Sequence, residues 1–379
     1  MKKNVTLLYC ILVLSVSITR AQSTLGGNTF INTSLDMITS TESIAMGESF
    51  VANNSNVQSY FENPAAIFNR RNVSVFYNYR YQGWMDVQKE AHNFAVGFIT
   101  RTNIGNFGIS VNQFTTGEYN TGAPTGKTED KNRTLILSYG REVINNFTLG
   151  INAKVFDRKL SSTGTSDFQI SSNTAFLADI GALYNFNNLI NTDEIESQLS
   201  LGVSLQNIGT DYKEESRYFL NSKEIRRLPR YLRAGFALAS SLYLGKAAKA
   251  NVEILFTGEY KNLTNPTEKE KLNVDYWSAG IEATLFNIIS LRAGALKTPE
   301  YNVLFDRNKF NWRYGAGIKI PIGIIGLRYP AMIKFDYATI PVNQLELLYT
   351  TVDNPDGTGI TEKTKNHLYS FSVTLSYHM

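Results

Sequence analysis

The chain has 379 residues, 43% of them hydrophobic and only 18% charged, with 22 Phe, 21 Tyr, 27 Gly and 9 Pro. A typical soluble domain carries about 25% charged residues; low charge with many aromatics and glycines indicates a β-rich chain, and the lack of long apolar runs excludes a bundle of transmembrane helices. The formal net charge is +4, but Lys2, Lys3 and Arg20 supply three of those four charges, which excludes a generally basic nucleic-acid binder and a lipid-surface binder acting through bulk positive charge.

Residues 1–21 read as a secretory signal peptide. Met1-Lys2-Lys3 is a short basic region, Val5 to Ile18 is apolar, and Ala21 is the small residue at the expected cleavage point. An apolar run of about 14 residues is too short to span a bilayer comfortably; an N-terminal helical anchor is the competing reading. Cys10 is the single cysteine and lies inside this run behind the bulky Tyr9, which argues against lipidation. The exported chain is then expected to lack disulfides, a thiol nucleophile and any cysteine-based metal site.

Residues 22–70 show no alternation. Ser55 is expected to cap a short helix ending before Pro64. The segment precedes the first strand and is expected to sit inside the lumen as a plug; the alternative is a loose periplasmic arm.

From residue 71 to 379 the pattern has period two. Fourteen segments show it: 73–79, 92–100, 106–114, 133–140, 147–156, 174–185, 198–207, 231–241, 250–260, 275–285, 288–297, 311–320, 331–339 and 368–377. Tyr369, Phe371, Val373, Leu375 and Tyr377 share one face of the last, and Ser370, Ser372, Thr374 and Ser376 the other. Runs of about 9–11 residues suit tilted membrane-crossing strands, and an even number suits a bacterial barrel. Connections after odd strands are long and those after even strands short, as external loops and periplasmic turns are. Alternation also fits an antiparallel sandwich. A sandwich core, however, would not bury the charges found on the polar face, such as Lys154, Arg233, Glu282, Arg292, Arg313, Lys334 and Asp336, whereas a polar lumen accepts them. Aromatics near strand ends (Trp277, Trp312, Tyr369, Tyr377) fit interfacial girdles. Glycines recur on the polar face (Gly97, Gly150, Gly202, Gly235, Gly280, Gly294, Gly315, Gly317), where small residues leave room for a plug or curve the wall. The expected fold is all-β, a transmembrane antiparallel barrel of about 14 strands with an N-terminal plug, in the bacterial outer membrane and in contact with its lipid.

Several short motifs carry a resemblance. Ser43-Ile44-Ala45-Met46-Gly47-Glu48-Ser49-Phe50-Val51-Ala52, with Asn63-Pro64-Ala65-Ala66 about ten residues on, resembles the start of FadL-like outer-membrane proteins, in particular the PorV/PorQ branch found in Bacteroidetes. Gly202-Val203-Ser204-Leu205-Gln206-Asn207-Ile208-Gly209, Leu228-Pro229-Arg230-Tyr231-Leu232-Arg233-Ala234-Gly235, Leu291-Arg292-Ala293-Gly294 and Phe335-Asp336-Tyr337-Ala338 are similar to that branch's later motifs. Glu42 stands where the branch often carries Arg. The resemblance implies a fourteen-stranded barrel with an internal N-terminal segment. It also implies an interaction role in type IX protein secretion or surface attachment, with secreted proteins or secretion-system subunits as partners. The alternative is FadL-like passage of a hydrophobic small molecule. Met46, Gly47, Asn63, Pro64 and Ala65 form the candidate plug motif. Gly47 is expected to allow a close approach to the wall, Asn63-Pro64 to end the plug helix, and Asn207 with Gly209 to form the turn leaving the seventh strand. Glu282 and Arg292 are the candidate lumen ion pair, bracing the wall in preference to transporting solute.

Catalytic chemistry is sparse. The three histidines are His92, His367 and His378, and none lies in a nucleophile or metal-ligand pattern. No enzyme activity, cofactor or metal is expected. The segment 353–357 (DNPDG) reads as an exposed turn, with loose calcium binding as the lesser alternative.

Overall fold

The computed structural model describes residues 34–35, 37–68, 73–81, 90–120, 127–163, 168–172, 174–210, 212–216, 223–226, 228–243, 252–265, 275–297, 310–325, 329–341 and 367–377. The signal-peptide assignment and the 353–357 turn lie outside them.

Fourteen long strands form the wall: β1 (Val73–Tyr81), β2 (His92–Thr102), β3 (Gly105–Thr115), β5 (Lys127–Ile144), β6 (Phe147–Thr163), β8 (Ala175–Asn191), β9 (Ile195–Gly209), β12 (Tyr231–Leu242), β13 (Val252–Leu263), β14 (Asp275–Leu285), β15 (Ile289–Lys297), β16 (Phe310–Pro321), β17 (Ala331–Pro341) and β18 (His367–Tyr377). Four short strands, β4 (Tyr119–Asn120), β7 (Phe168–Ser172), β10 (Tyr212–Ser216) and β11 (Lys223–Arg226), extend the sheet at the long-loop end. Each wall strand pairs antiparallel with its neighbours, and β1 closes the ring on β18, from Val73 opposite Tyr377 to Tyr81 opposite Tyr369. Closure leaves no unpaired edge, which is the condition for strands to cross a bilayer.

The wall is the inverse of a soluble sandwich. Ser370, Ser372, Thr374 and Ser376 are buried on the inside, while Phe371 and Leu375 between them are exposed on the outside. The same alternation puts Ile281, Leu291, Trp312, Phe335 and Tyr337 on the outer surface, as a lipid-facing belt requires. Ile281 lies mid-strand on β14 and is 48% exposed. Ile281→Arg should therefore cost about 2–4 kcal/mol, the range for a basic side chain near the bilayer midplane. Urea unfolding in lipid vesicles measures it. A cost under about 0.5 kcal/mol, typical of a water-exposed site, would contradict the lipid-facing assignment.

Two hairpins run further than the alternation foretold. β5 starts at Lys127 and β6 ends at Thr163, against the expected 133 and 156. β8 continues to Asn191 and β9 begins at Ile195. The β8 extension is exposed on both faces over 187–191, whereas the β5 extension buries Thr128, Asp130 and Asn132 on the inside and carries Lys127, Glu129 and Lys131 on the other face, so in neither is there an apolar face for period-two hydrophobicity to encode.

Residues 38–68 fill the interior as the plug. Ser40 caps a short helix, Thr41–Ala45, every residue of which is buried. Tight turns follow at Ser59–Phe61 and Pro64–Ile67. The helix expected to start at Ser55 does not form: the Ser55 N–H and hydroxyl both donate to Asn53 Oδ1, at 2.9 and 2.8 Å. This local side-chain bond competes with helix initiation. Asn63 likewise begins a turn instead of ending a helix, its Oδ1 accepting from the Ala65 N–H at 3.0 Å, with Pro64 in the first position. That is where proline's missing N–H costs nothing.

Candidate functional site

The described residues bring the chemistry together at the contact between plug and wall. The plug travels around the inner wall against strand order, and small wall residues face it at successive stops. Thr41 Oγ1 meets Ser370 Oγ of β18 at 2.8 Å. Ala45 lies on Gly315 of β16, Met46 on Gly294 of β15 and Gly280 of β14, and Val51 on Gly235 of β12 and Gly202 of β9. Asn63 then lies on Gly181 of β8, Pro64 on Gly150 of β6, and Ile67 on Gly140 of β5 and Gly108 of β3. Any Cβ at most of these positions would overlap plug atoms. Six of the eight inward glycines singled out in the sequence serve this track; Gly97 instead accommodates Phe76, and Gly317 the side chains of Asp336 and Arg292.

Gly47 has φ +73 and its Cα faces the Ala279 and Ala295 carbonyls of the wall. Glu48 follows with φ 67, so two successive left-handed residues turn the chain back over the wall. Only glycine adopts the first without strain while sitting this close to backbone. Met46 and Ala65 are fully buried. The Asn63 amide donates to the Val51 carbonyl at 2.7 Å and the Ala182 carbonyl at 3.0 Å, tying two parts of the plug to β8.

Between residues 21 and 69 the chain contains no Lys or Arg, and each described plug carboxylate meets a wall cation. Glu42 accepts from Lys334 Nζ at 2.5 Å and from Arg292 Nη2 at 3.2 Å. Glu48 pairs with Arg313. Glu62 accepts from Arg233 Nη2 at 2.7 Å, and Arg233 Nε donates to Glu259 at 2.5 Å. Glu62 also accepts from the Phe50 N–H at 3.1 Å, and Glu259 from the Val51 N–H at 2.9 Å. Backbone N–H groups of the plug are thus bound by a network that spans plug and wall. Burial pushes Glu42 up, but Lys334 and Arg292 outweigh it and hold the carboxyl at about 2. Burial likewise opposes ionisation of Glu48, and Arg313, Arg80 and Lys261 overcome it, again to about 2. Both carboxylates are charged throughout the physiological pH range.

Glu282 and Arg292 are direct cross-strand neighbours on β14 and β15, and their side chains are paired. The pair runs along the wall rather than across the lumen. Arg292 reaches Asp336 Oδ1 on β17 at 2.9 Å as well as Glu42, so it belongs to a larger cluster that includes the plug.

Asn207 is not part of an external turn. With φ 58 it forms a bulge in β9 opposite Asp179. Its N–H donates to Asp179 at 2.8 Å, its amide to the Pro229 carbonyl at 2.8 Å, and its Oδ1 accepts from Lys154 at 2.9 Å. Lys154 and Asp179 are paired at 2.7 Å. The neighbouring Ser204 and Gln206 donate to the Glu62 carbonyl at 2.7 and 3.0 Å. The motifs carrying the family resemblance therefore meet at one place, the plug–wall contact, though they are scattered along the chain.

Above the plug, toward the long-loop end, two apolar clusters face inward among polar side chains such as Asp130, Arg158 and Lys261. Tyr231, Leu263, Tyr276 and Leu296 form one buried cluster on β12 to β15. Phe156, Ala175, Leu177 and Leu228 form another, with Leu35 against it. Lys261 Nζ lies 4.4 and 4.2 Å from the ring centres of Tyr231 and Tyr276, a cation–π arrangement. His92 sits at the rim with Nδ1 2.8 Å from the Glu90 carbonyl oxygen and its ring stacked on Tyr79 at 5.4 Å. Among the described residues no group of three His, Cys, Asp or Glu side chains is placed to hold a metal ion.

No family model and no curated protein matches the sequence. Among solved structures the chain is similar to the Pseudomonas putida toluene transporter TodX, at 11% identity and a TM-score of 0.48, covering 92% of this chain and 100% of that one. It is similar to a Pseudomonas aeruginosa FadL homologue at 14% identity and a TM-score of 0.44, covering 92% and 99%. It is also similar to the monoaromatic hydrocarbon channel CymD, at 9% identity and a TM-score of 0.43, covering 89% and 97%. The strand pairing and the outward apolar belt establish the fold on their own. The chain is an outer-membrane β-barrel.

Proposed function

We propose that the chain is a plugged outer-membrane channel for small hydrophobic molecules. The observation that carries this reading is the apolar surface inside the barrel. A channel for polar solutes has a polar interior, yet Tyr231, Leu263, Tyr276 and Leu296 turn inward above the plug. The four side chains pack on one another, each 6% exposed or less, so an apolar molecule entering from outside binds by parting them, above the plug that closes the path below.

Saturable binding of the apolar dye N-phenyl-1-naphthylamine to the detergent-purified barrel is the expected result. Leu296→Arg should weaken that binding about tenfold, the equivalent of about 1.4 kcal/mol. A folded protein that binds no dye above the detergent background overturns the reading.

A second reading is an interaction component of type IX protein secretion or surface attachment. What supports it is the run of PorV/PorQ-like motifs from Met46-Gly47 to Asp336-Tyr337-Ala338. By length alone, the loop between residues 340 and 367 is its candidate docking surface, and it lies almost wholly outside the described residues. Deletion of the gene that leaves secretion intact, with no secretion subunit co-purifying, would rule it out.

A further inference from the structure

We infer that the wall beneath Ser34 and Leu35 is a ligand site for uncharged molecules that join an apolar body to one amide or hydroxyl group. The inference rests on the reading of the barrel as a channel for small hydrophobic molecules and names the polar group such a molecule carries. Asn112 of β3, Thr134 of β5 and Phe156 of β6 are direct cross-strand neighbours in one buried row. Asn132 lies two residues before Thr134, on the same face of β5. The polar part of this row holds Ser34 by all three of its polar groups. The Ser34 N–H donates to Asn132 Oδ1 at 2.6 Å, its carbonyl accepts from Asn112 Nδ2 at 2.8 Å, and its hydroxyl lies 2.9 Å from Thr134 Oγ1. The apolar part takes the next residue, Leu35, which packs on Phe156, Leu177 and Leu228.

Two successive residues thus fill a site with a polar half and an apolar half. The polar half still has capacity. Asn112 and Asn132 are 3% exposed or less, yet among the described residues Asn112 Oδ1 and Asn132 Nδ2 have no hydrogen-bond partner. Leaving buried polar atoms unpaired is costly. A primary amide in the place of Ser34 brings a donor for the Asn112 oxygen and an acceptor for the Asn132 nitrogen. Charge is excluded by the surroundings. Arg158, the cross-strand neighbour of Asn132, is paired with Asp130 at 2.5 Å. A carboxylate or ammonium placed here would lose its water among neutral carboxamides beside an ion pair that is already balanced.

The test is equilibrium dialysis of labelled hexanamide against the detergent-purified protein, with hexanoate as the charged match in size. Hexanamide should bind saturably, and hexanoate about tenfold more weakly, the equivalent of one unpaid desolvation step. Asn112→Leu combined with Asn132→Leu should weaken hexanamide binding about tenfold. Ser34→Pro removes the N–H held by Asn132 and so weakens the internal occupant. It should bind hexanamide about fivefold more tightly, the worth of one hydrogen bond; a purely structural role for Ser34 would not raise affinity. Hexanoate bound as tightly as hexanamide overturns the inference, and so does unchanged or weaker hexanamide binding in Ser34→Pro. If the double variant does not fold, Ser34→Pro decides. Protein that binds N-phenyl-1-naphthylamine but no hexanamide, with or without Ser34→Pro, fails this inference and leaves the channel reading standing; protein that binds neither fails both.

Discussion

Arg233→Met should destabilise the barrel by about 3–5 kcal/mol, the range for breaking a buried ion pair from one side. Arg233 is 2% exposed and serves two carboxylates: Glu62, whose side chain is fully buried, and Glu259, at 1%. It also donates to the Glu48 carbonyl at 3.0 Å. Removing the guanidinium leaves two like charges facing each other without water. The cost lies chiefly in the stranded carboxylates, so neutralising them should recover most of it. Arg233→Met combined with Glu62→Gln and Glu259→Gln is expected to unfold close to wild type, because a buried pair replaced as a whole is often near neutral. Urea unfolding in lipid vesicles measures both proteins. A single-variant loss below about 1 kcal/mol, the scale of a surface pair, would show that the network is hydrated.

Gly294→Ala should expel the plug while the wall remains closed. A Cβ there would coincide with backbone atoms of Met46 and Gly47. Backbone cannot swing aside as a flexible side chain does, and overpacking of this kind typically costs about 1–3 kcal/mol. The wall itself does not need the glycine: Ala293 and Ala295 flank it on β15 within an unbroken register with β14 and β16. The expected signature is a plug newly sensitive to added protease, in a barrel that keeps its heat-modifiable gel mobility. Gly323→Ala, at a position with nothing within 4 Å, is the control and should change neither. Continued protection of the plug in Gly294→Ala would mean that plug and wall are not in close contact at this stop.

Much of this fold is local and therefore legible in the chain itself. A strand with one face in lipid and one in a polar lumen must alternate at period two. That rule separates Phe371 and Leu375 from Ser370 and Ser372, and it places all fourteen wall strands. The inward side of Gly150, Gly202, Gly235, Gly280, Gly294 and Gly315 follows from the same parity. The absence of Lys and Arg between residues 21 and 69 was a signal of charge pairing with the inward Arg and Lys side chains that the reading of the sequence did not use. Where lipid no longer touches the strands, as in Lys127–Arg133 and Asp157–Thr163, the pattern vanishes and so did the strand ends.

Which acid meets which base was decided only by the tertiary structure. Glu62 and Arg233 are 171 residues apart, and Glu42 and Arg292 are 250 apart. Their meeting depends on the stagger of strands around the closed ring and on the path of the plug inside it. Neither is written in any short window of sequence. Local reading failed in the same way at Asn63 and Asn207. Asn63 starts a turn with its Oδ1 accepting from the Ala65 N–H, in an orientation fixed by its amide's bonds to the Val51 and Ala182 carbonyls. The pairing of Glu282 with Arg292 was local, since adjacent strands bring side chains on the same face within reach, and what the tertiary structure added was Asp336 and Glu42 around Arg292. Asn207 adopts its left-handed bulge where Lys154, Asp179 and the Pro229 carbonyl converge on it. The sequence by itself determined a membrane-spanning wall with a glycine-lined interior; closure of that wall on the plug then decided which buried charge meets which, because buried charges are stable only where long-range geometry supplies their partners.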